Sequence, residues 1–304
     1  MLRFRIPSAL ALIAIFSLAV WGIYKPYLFW LLPFVACLLV FAACCEMLKM
    51  IGTNGAFKAW TIAASLLVLL GGYCFFRYPN FQRVKVVLGF IALLVFTATF
   101  LIPLVTGGVK GAVQSVSASF LTLLYIPVPI AMLLGVALIG YGSPKLDGRL
   151  FLPYFVAIVK GADIGAYIVG TLFAKSPLGS HKFVPEISPK KSIEGLVGGI
   201  SLSLAVGILG ALYLPNVSDA MLLLGSKINA DAAIGRITGA AVISLILCLL
   251  SIVGDLVESI WKRDSGIKDS GGYVPGMGGV LDVADSLLLA APFMYAITLT
   301  LSRF

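Results

Sequence analysis

Long apolar runs separated by short polar stretches repeat along the whole chain. A helix needs about 20 mainly apolar residues to cross the hydrocarbon core of a bilayer. Runs of that order occur near residues 7–24, 27–46, 59–76, 84–105, 115–141, 150–173, 195–214, 235–256 and 280–301. The pattern predicts an all-α polytopic membrane protein with about nine transmembrane helices. Arg3 and Arg5 ahead of the first run resemble the charged start of a signal peptide. No small-residue cleavage site follows, and apolarity resumes after Tyr24, so this run is expected to be a retained helix. Trp21, Tyr24, Tyr27 and Trp30 flank the first turn, as either interfacial anchors or packing aromatics would.

The polar positions are unevenly spread. Up to about Gly142 the chain is nearly devoid of acidic residues, and the dense polar clusters all follow. No repeat, low-complexity linker or separately folding hydrophilic segment interrupts it. The expected organisation is one integral domain over 1–304, with 1–142 as scaffold helices and 143–304 as a catalytic half containing a polar, cytoplasm-facing cavity.

Composition narrows the function classes. A hydrophobic fraction of 60%, 12% charged residues and a mean hydropathy of +1.06 exclude an ordinary soluble domain. The formal charge of +9 is scattered among loops, with no basic, aromatic-rich soluble module to carry nucleic acid. Anionic lipid headgroups and a phosphorylated substrate are better partners. Five cysteines lie in or beside apolar runs without metal-ligand spacing, which suits membrane packing. With nine spans the two richest loops share a side with the N-terminus, and a slight excess of Lys and Arg there places them in the cytoplasm.

Three constellations could carry chemistry. In SPKKSIEGLVGG, residues 188–199, Ser188, Lys190, Lys191, Ser192 and Glu194 lead into a helix start. Backbone amides and two ammonium groups there favour phosphate oxygens, although topology charges and a serine cap also account for the segment. In the second, Asp255 and Glu258 share a helical face, followed by Lys262, Arg263, Lys268 and Asp269, a glycine-rich stretch, and Asp282 and Asp285 three residues apart. Such carboxylates either complement a helix start and nearby lysines or supply hard oxygen ligands for Mg²⁺. The third is a stripe of Lys160, Asp163 and Tyr167 inside the sixth run, which forms an internal ion pair or lines a polar cavity. His181 has no partner at ligand spacing and is expected at the surface.

At these residues the chain resembles the phosphatidate cytidylyltransferases, the CDP-diacylglycerol synthases. The resemblance rests on Ser259, Lys262, Arg263, Lys268, Asp269, Pro275, Gly278, Gly279, Asp282 and Asp285, on GDLVES with Asp255 and Glu258, on DIGAY from Asp163, and on SPKKSIEG from Ser188. It covers roughly the C-terminal half; the first half matches only as generic membrane helices. Two positions depart from the signature: Met277 replaces a histidine and Val283 an arginine.

The resemblance implies transfer of CMP from CTP to phosphatidate, with release of pyrophosphate. It implies Lys268, Asp269 and Asp282 as catalytic residues and Mg²⁺ on Asp255, Asp282 and Asp285, with K⁺ as a candidate second cation. Ser188, Lys190, Lys191, Ser192, Glu194, Lys262, Arg263 and Asp163 would bind substrate. The expected location is a bacterial inner membrane, with the site facing the cytoplasm, and a homodimer fits the family. Two readings from other classes stay open: a CTP-dependent polyprenol kinase, and a secondary transporter with Asp163, Asp255 and Lys160 along its path.

Overall fold

The structure is a computed structural model and describes residues 2–23, 25–53, 55–106, 110–140, 147–174, 181–226 and 231–302. The helices are α1 (Leu2–Gly22), α2 (Leu31–Ile51), α3 (Gly55–Arg77), α4 (Gln82–Thr106), α5 (Ala112–Tyr125), α6 (Pro127–Leu138), α7 (Gly148–Phe173), α8 (Ile193–Tyr213), α9 (Pro215–Gly225), α10 (Ala232–Asp264) and α11 (Val280–Leu301). Among the described residues, β pairing is confined to two isolated bridges, Lys182 with Ser192 and Val274 with Gly278.

Among the described residues, eight segments are long and apolar enough to cross a bilayer: α2, α3, most of α4, α5 and α6 taken together, α7, α8, α10 and α11. This is an all-α, multi-pass membrane protein. The sequence predicted about nine spans; the run at 7–24 lies mostly in α1, whose apolar part, Ile6–Gly22, is shorter than the others. The run at 115–141 is broken at Ile126, because Pro127 has no N–H to continue the helix ladder. The boundary drawn at 142–143 lies outside the described residues.

Two compact units make up the chain. The first comprises Met1–Leu138 and Asp264–Ala284, and the second Ile139–Arg263 and Asp285–Phe304. In the first, α3 packs against α2, α4, α5 and α6. Ala64, Val95 and Leu123 are buried there beneath Trp60, Val68 and Ile91. Thr61 and Ser119 share a hydrogen bond of 2.7 Å, and Trp60 Nε1 donates to Thr99 Oγ1 at 3.0 Å. Such bonds hold helices together where lipid removes the ordinary hydrophobic drive. The segment 264–284, assigned from sequence to the second half, belongs to this first unit.

In the second unit α7 and α8 pack backbone to backbone through small residues. A Cβ built on Gly165 would lie 2.8 Å from Leu202 Cβ and 3.0 Å from the Gly198 carbonyl carbon. Tyr154 adds a hydrogen bond from its hydroxyl to Gly207 O at 2.9 Å. The 33 residues of α10 exceed the bilayer requirement by several turns, so its charged end extends toward the headgroups. Gly165→Ala should therefore lower stability in detergent by about 1–3 kcal/mol through overpacking. Gly89→Ala, where a Cβ meets nothing within 4 Å, should stay within about 0.5 kcal/mol; thermal melting of both variants checks the contrast.

Candidate active site

Titratable side chains from three helices and one loop meet in the second unit. Lys160 and Asp163 lie three residues apart on α7 and so share a face. Lys160 Nζ donates to Asp163 Oδ2 at 3.0 Å and to Ser286 Oγ, on α11, at 2.8 Å. Ser286 Oγ in turn donates to the same Asp163 oxygen at 3.1 Å. The polar stripe read from the sequence is thus a closed triangle spanning two helices. Tyr167, its third member, is exposed and stands outside it.

On α10, Asp255 and Glu258 occupy one face as their spacing predicts. Lys262 Nζ donates to Glu258 Oε2 at 2.9 Å across one helical turn, and Glu258 is fully buried. Lys191 pairs with Asp255 Oδ2 at 2.9 Å, and Ser259 Oγ donates to the other Asp255 oxygen at 3.4 Å. Asp285, buried on α11, lies close enough to Asp255, Glu258 and Lys160 for their charges to act on it. Four carboxyl groups, Asp163, Asp255, Glu258 and Asp285, are therefore set against the ammonium groups of Lys160, Lys191 and Lys262.

A short folded loop delivers Lys191. Phe183 N donates to Lys191 O at 3.1 Å and Ile193 N to His181 O at 2.8 Å. Ser192 caps α8, its Oγ accepting from Gly195 N at 3.1 Å. Glu194 accepts from His181 N and pairs with His181 Nδ1 at 2.7 Å. His181 is a surface residue, as expected, and closes the base of the loop. Arg263 Nε donates to Ile187 O at 3.3 Å, tying the loop to the end of α10. Of the residues expected to bind substrate, Asp163, Lys191 and Lys262 join the carboxyl network. Ser192, Glu194 and Arg263 shape the loop; Ser188 is half-buried and Lys190 exposed.

The signature loop folds within the first unit. Lys268 and Asp269 are exposed. Asp282 Oδ2 accepts from Ser270 N at 2.9 Å and from Gly279 N at 2.7 Å, so it secures the start of α11 from within its first turn. Gly278 has φ +101°, and a Cβ there would lie 2.6 Å from Asp282 Oδ2, so glycine is required on both counts. Met277 sits on an exposed turn in which Met277 N donates to Val274 O and Val274 N to Gly278 O, both at 3.0 Å. Val283 lies half-buried beside Asp282 in sequence.

Glu46 was missed from sequence. It is 3% exposed on α2, and its Oε1 accepts from Val280 N at 3.0 Å. Its Oε2 accepts from Leu281 N at 2.8 Å and Ser270 Oγ at 3.0 Å. The available signal was its isolation, since it is the sole acidic residue before Asp147.

The carboxyl oxygens of Asp255, Asp282 and Asp285 are hard donors of the kind Mg²⁺ takes. Among the described residues no group of three or more His, Cys, Asp or Glu is gathered to hold a metal ion. The donor chemistry fits, and the known partners of these oxygens are the protein groups named above.

The sequence model of the cytidylyltransferase family matches residues 3–301. The chain belongs to the cytidylyltransferase family. Similar curated relatives are each named phosphatidate cytidylyltransferase. The Synechocystis protein is 41% identical over 139 residues, 46% of this chain and 40% of the relative. The Haemophilus influenzae protein is 37% identical over 164 residues, 54% and 51%. The Staphylococcus haemolyticus protein is 36% identical over 168 residues, 53% and 56%. The alignments thus span about half the length of these relatives. The family match also takes in the first half, which the sequence reading treated as generic helices.

Within this cytidylyltransferase-family chain the paired, half-buried lysines and the exposed lysines should separate by stability. Lys262→Ala leaves the buried Glu258 without its charged partner and should cost about 3 kcal/mol. Lys268→Ala, at an exposed position, should change stability by less than about 0.5 kcal/mol. Adding Glu258→Gln to Lys262→Met should recover much of the loss in thermal melting.

Proposed function

We propose that the protein is a phosphatidate cytidylyltransferase. A phosphate oxygen of phosphatidate attacks the α-phosphorus of CTP; the new O–P bond forms as the bond to the β-phosphate oxygen breaks, giving CDP-diacylglycerol and pyrophosphate. The observation that carries the reading is the family match over 3–301 in a chain whose charged groups are concentrated on multi-pass helices and their connecting loops. Phosphatidate keeps its acyl chains in the bilayer while CTP arrives from water, so a polar site opening to both suits the reaction.

All the reacting groups are anionic, and the nucleophile, an ionised phosphate oxygen, needs little help from a base. Met277 in place of a histidine is consistent with that chemistry. Catalysis then consists of bringing anions together and stabilising the departing pyrophosphate with fixed cations. Lys268 would neutralise a phosphate, with Asp269 orienting it. Ser188, Lys190, Lys191, Lys262 and Arg263 would hold nucleotide phosphates or the lipid headgroup. Ser192 and Glu194 would shape the binding loop, and Asp163 would fix Lys160.

Asp282, Asp255 and Asp285 would hold Mg²⁺, with K⁺ as a second cation. When bound, Mg²⁺ would neutralise phosphate charge and stabilise the leaving group. Within the side-chain network described above, four carboxyl groups (Asp163, Asp255, Glu258 and Asp285) face three ammonium groups (Lys160, Lys191 and Lys262), and that local excess supports a cation beside them. The reading places the site on the cytoplasmic face of a bacterial inner membrane.

Purified protein in detergent, given CTP, phosphatidate and Mg²⁺, should release pyrophosphate and form a CDP-lipid only when all three are present. Asp282→Asn should lower turnover by about 100-fold or more without unfolding the chain. Release of CDP in place of pyrophosphate would instead identify a lipid kinase. No turnover by folded wild-type protein would overturn the cytidylyltransferase reading.

A further inference from the structure

We propose that Glu46, on α2, is a positioning residue for Asp282. This inference rests on the cytidylyltransferase reading for its catalytic consequence, though not for its geometry.

A carboxyl group inside an apolar helix is costly and needs compensating partners. Glu46 stands in α2, a span of mean hydropathy 2.4. Val280 N, Leu281 N and Ser270 Oγ all donate to it, and all three lie in the segment that carries Asp282. Val280 and Leu281 open α11, and the first N–H groups of a helix have no partner within it. Glu46 therefore caps α11 from 234 residues away.

Asp282 grips the same segment through different atoms. Its Oδ2 takes Ser270 N and Gly279 N, while Glu46 takes the Ser270 hydroxyl. Ser270, 6% exposed, is thus held through its backbone by one carboxyl and through its side chain by the other. With Oδ2 engaged twice, the rotamer of Asp282 is set, and so is the direction of its second oxygen. The packing leaves no space for adjustment. A Cβ on Gly271 would lie 2.7 Å from Glu46 Cδ, and one on Gly279 would meet Ser270 Oγ and Glu46 Oε2. At Gly271 the crowding comes from the Glu46 carboxyl; at Gly279 the Ser270 hydroxyl and the Gly271 backbone N, 2.7 Å away, add to it.

Glu46→Gln replaces one acceptor oxygen with an NH₂ group facing donors. Outer-shell partners of ligating carboxylates typically contribute about 10–100-fold to metal affinity or activity. In purified full-length protein, hydrogen–deuterium exchange in peptides covering 270–282 should be roughly 10-fold faster in Glu46→Gln, with α8 peptides unchanged. The Mg²⁺ concentration for half-maximal turnover should rise about 10–100-fold while KM for phosphatidate holds. A fraction of misfolded protein would lower the rate but would not move that concentration.

Should Glu46→Gln fail to fold, Ser270→Ala removes only the hydroxyl bond and should shift both readouts in the same direction. Unchanged exchange over 270–282 in the folded variant would overturn the clamp. Faster exchange with an unchanged Mg²⁺ requirement would overturn the positioning role. If the wild type makes no CDP-lipid, the catalytic reading and the role assigned to Glu46 within it both fall, while the exchange arm still decides the clamp itself.

Discussion

A charge carried into a bilayer must find its partner within the protein, because lipid offers none. That constraint organises both units. In the second, Asp163, Asp255, Glu258 and Asp285 are drawn to Lys160, Lys191, Lys262 and the Ser286 hydroxyl. In the first, the carboxyl groups of Glu46 and Asp282 are satisfied by backbone N–H groups and a serine hydroxyl. The two solutions differ in kind. Carboxyls paired with lysines make an electrostatic network that a bound cation or phosphate could reorganise. Carboxyls bonded to helix-start amides make a rigid support.

That division gives the polar residues separate duties. Ser192 and Glu194 were expected among the substrate-binding residues, yet their bonds go to Gly195 N and His181 and maintain the loop that presents Lys191. Arg263 likewise reaches the Ile187 carbonyl. Lys190, Lys268 and Asp269, by contrast, are exposed to water.

Glycine performs the complementary task. Between α7 and α8 it lets helix backbones touch, with Gly165 against Gly198, where any side chain would push the helices apart. In the signature loop it makes room for carboxyl groups, with Gly278 beside Asp282 and Gly271 and Gly279 beside Glu46. The same residue type thus serves apolar packing in one unit and polar packing in the other.

Apolar runs of bilayer length were enough to establish the all-α, multi-pass architecture, since helix formation in lipid is compelled by local backbone bonding. Spacing of three was enough to offer Lys160 and Asp163 as an ion pair and to put Asp255 and Glu258 on one face, because helical geometry alone brings those side chains together. The motifs around Asp282 were legible for the same reason: they are continuous in the chain. What lay beyond the sequence was every bond that joins distant segments. Nothing local says that Lys191 finds Asp255, that Ser286 closes the Lys160–Asp163 pair, or that 264–284 folds with the first-half helices. Glu46 is the sharpest case: its isolation in an apolar run showed that it needed partners, and only tertiary packing decided that they would be Ser270, Val280 and Leu281.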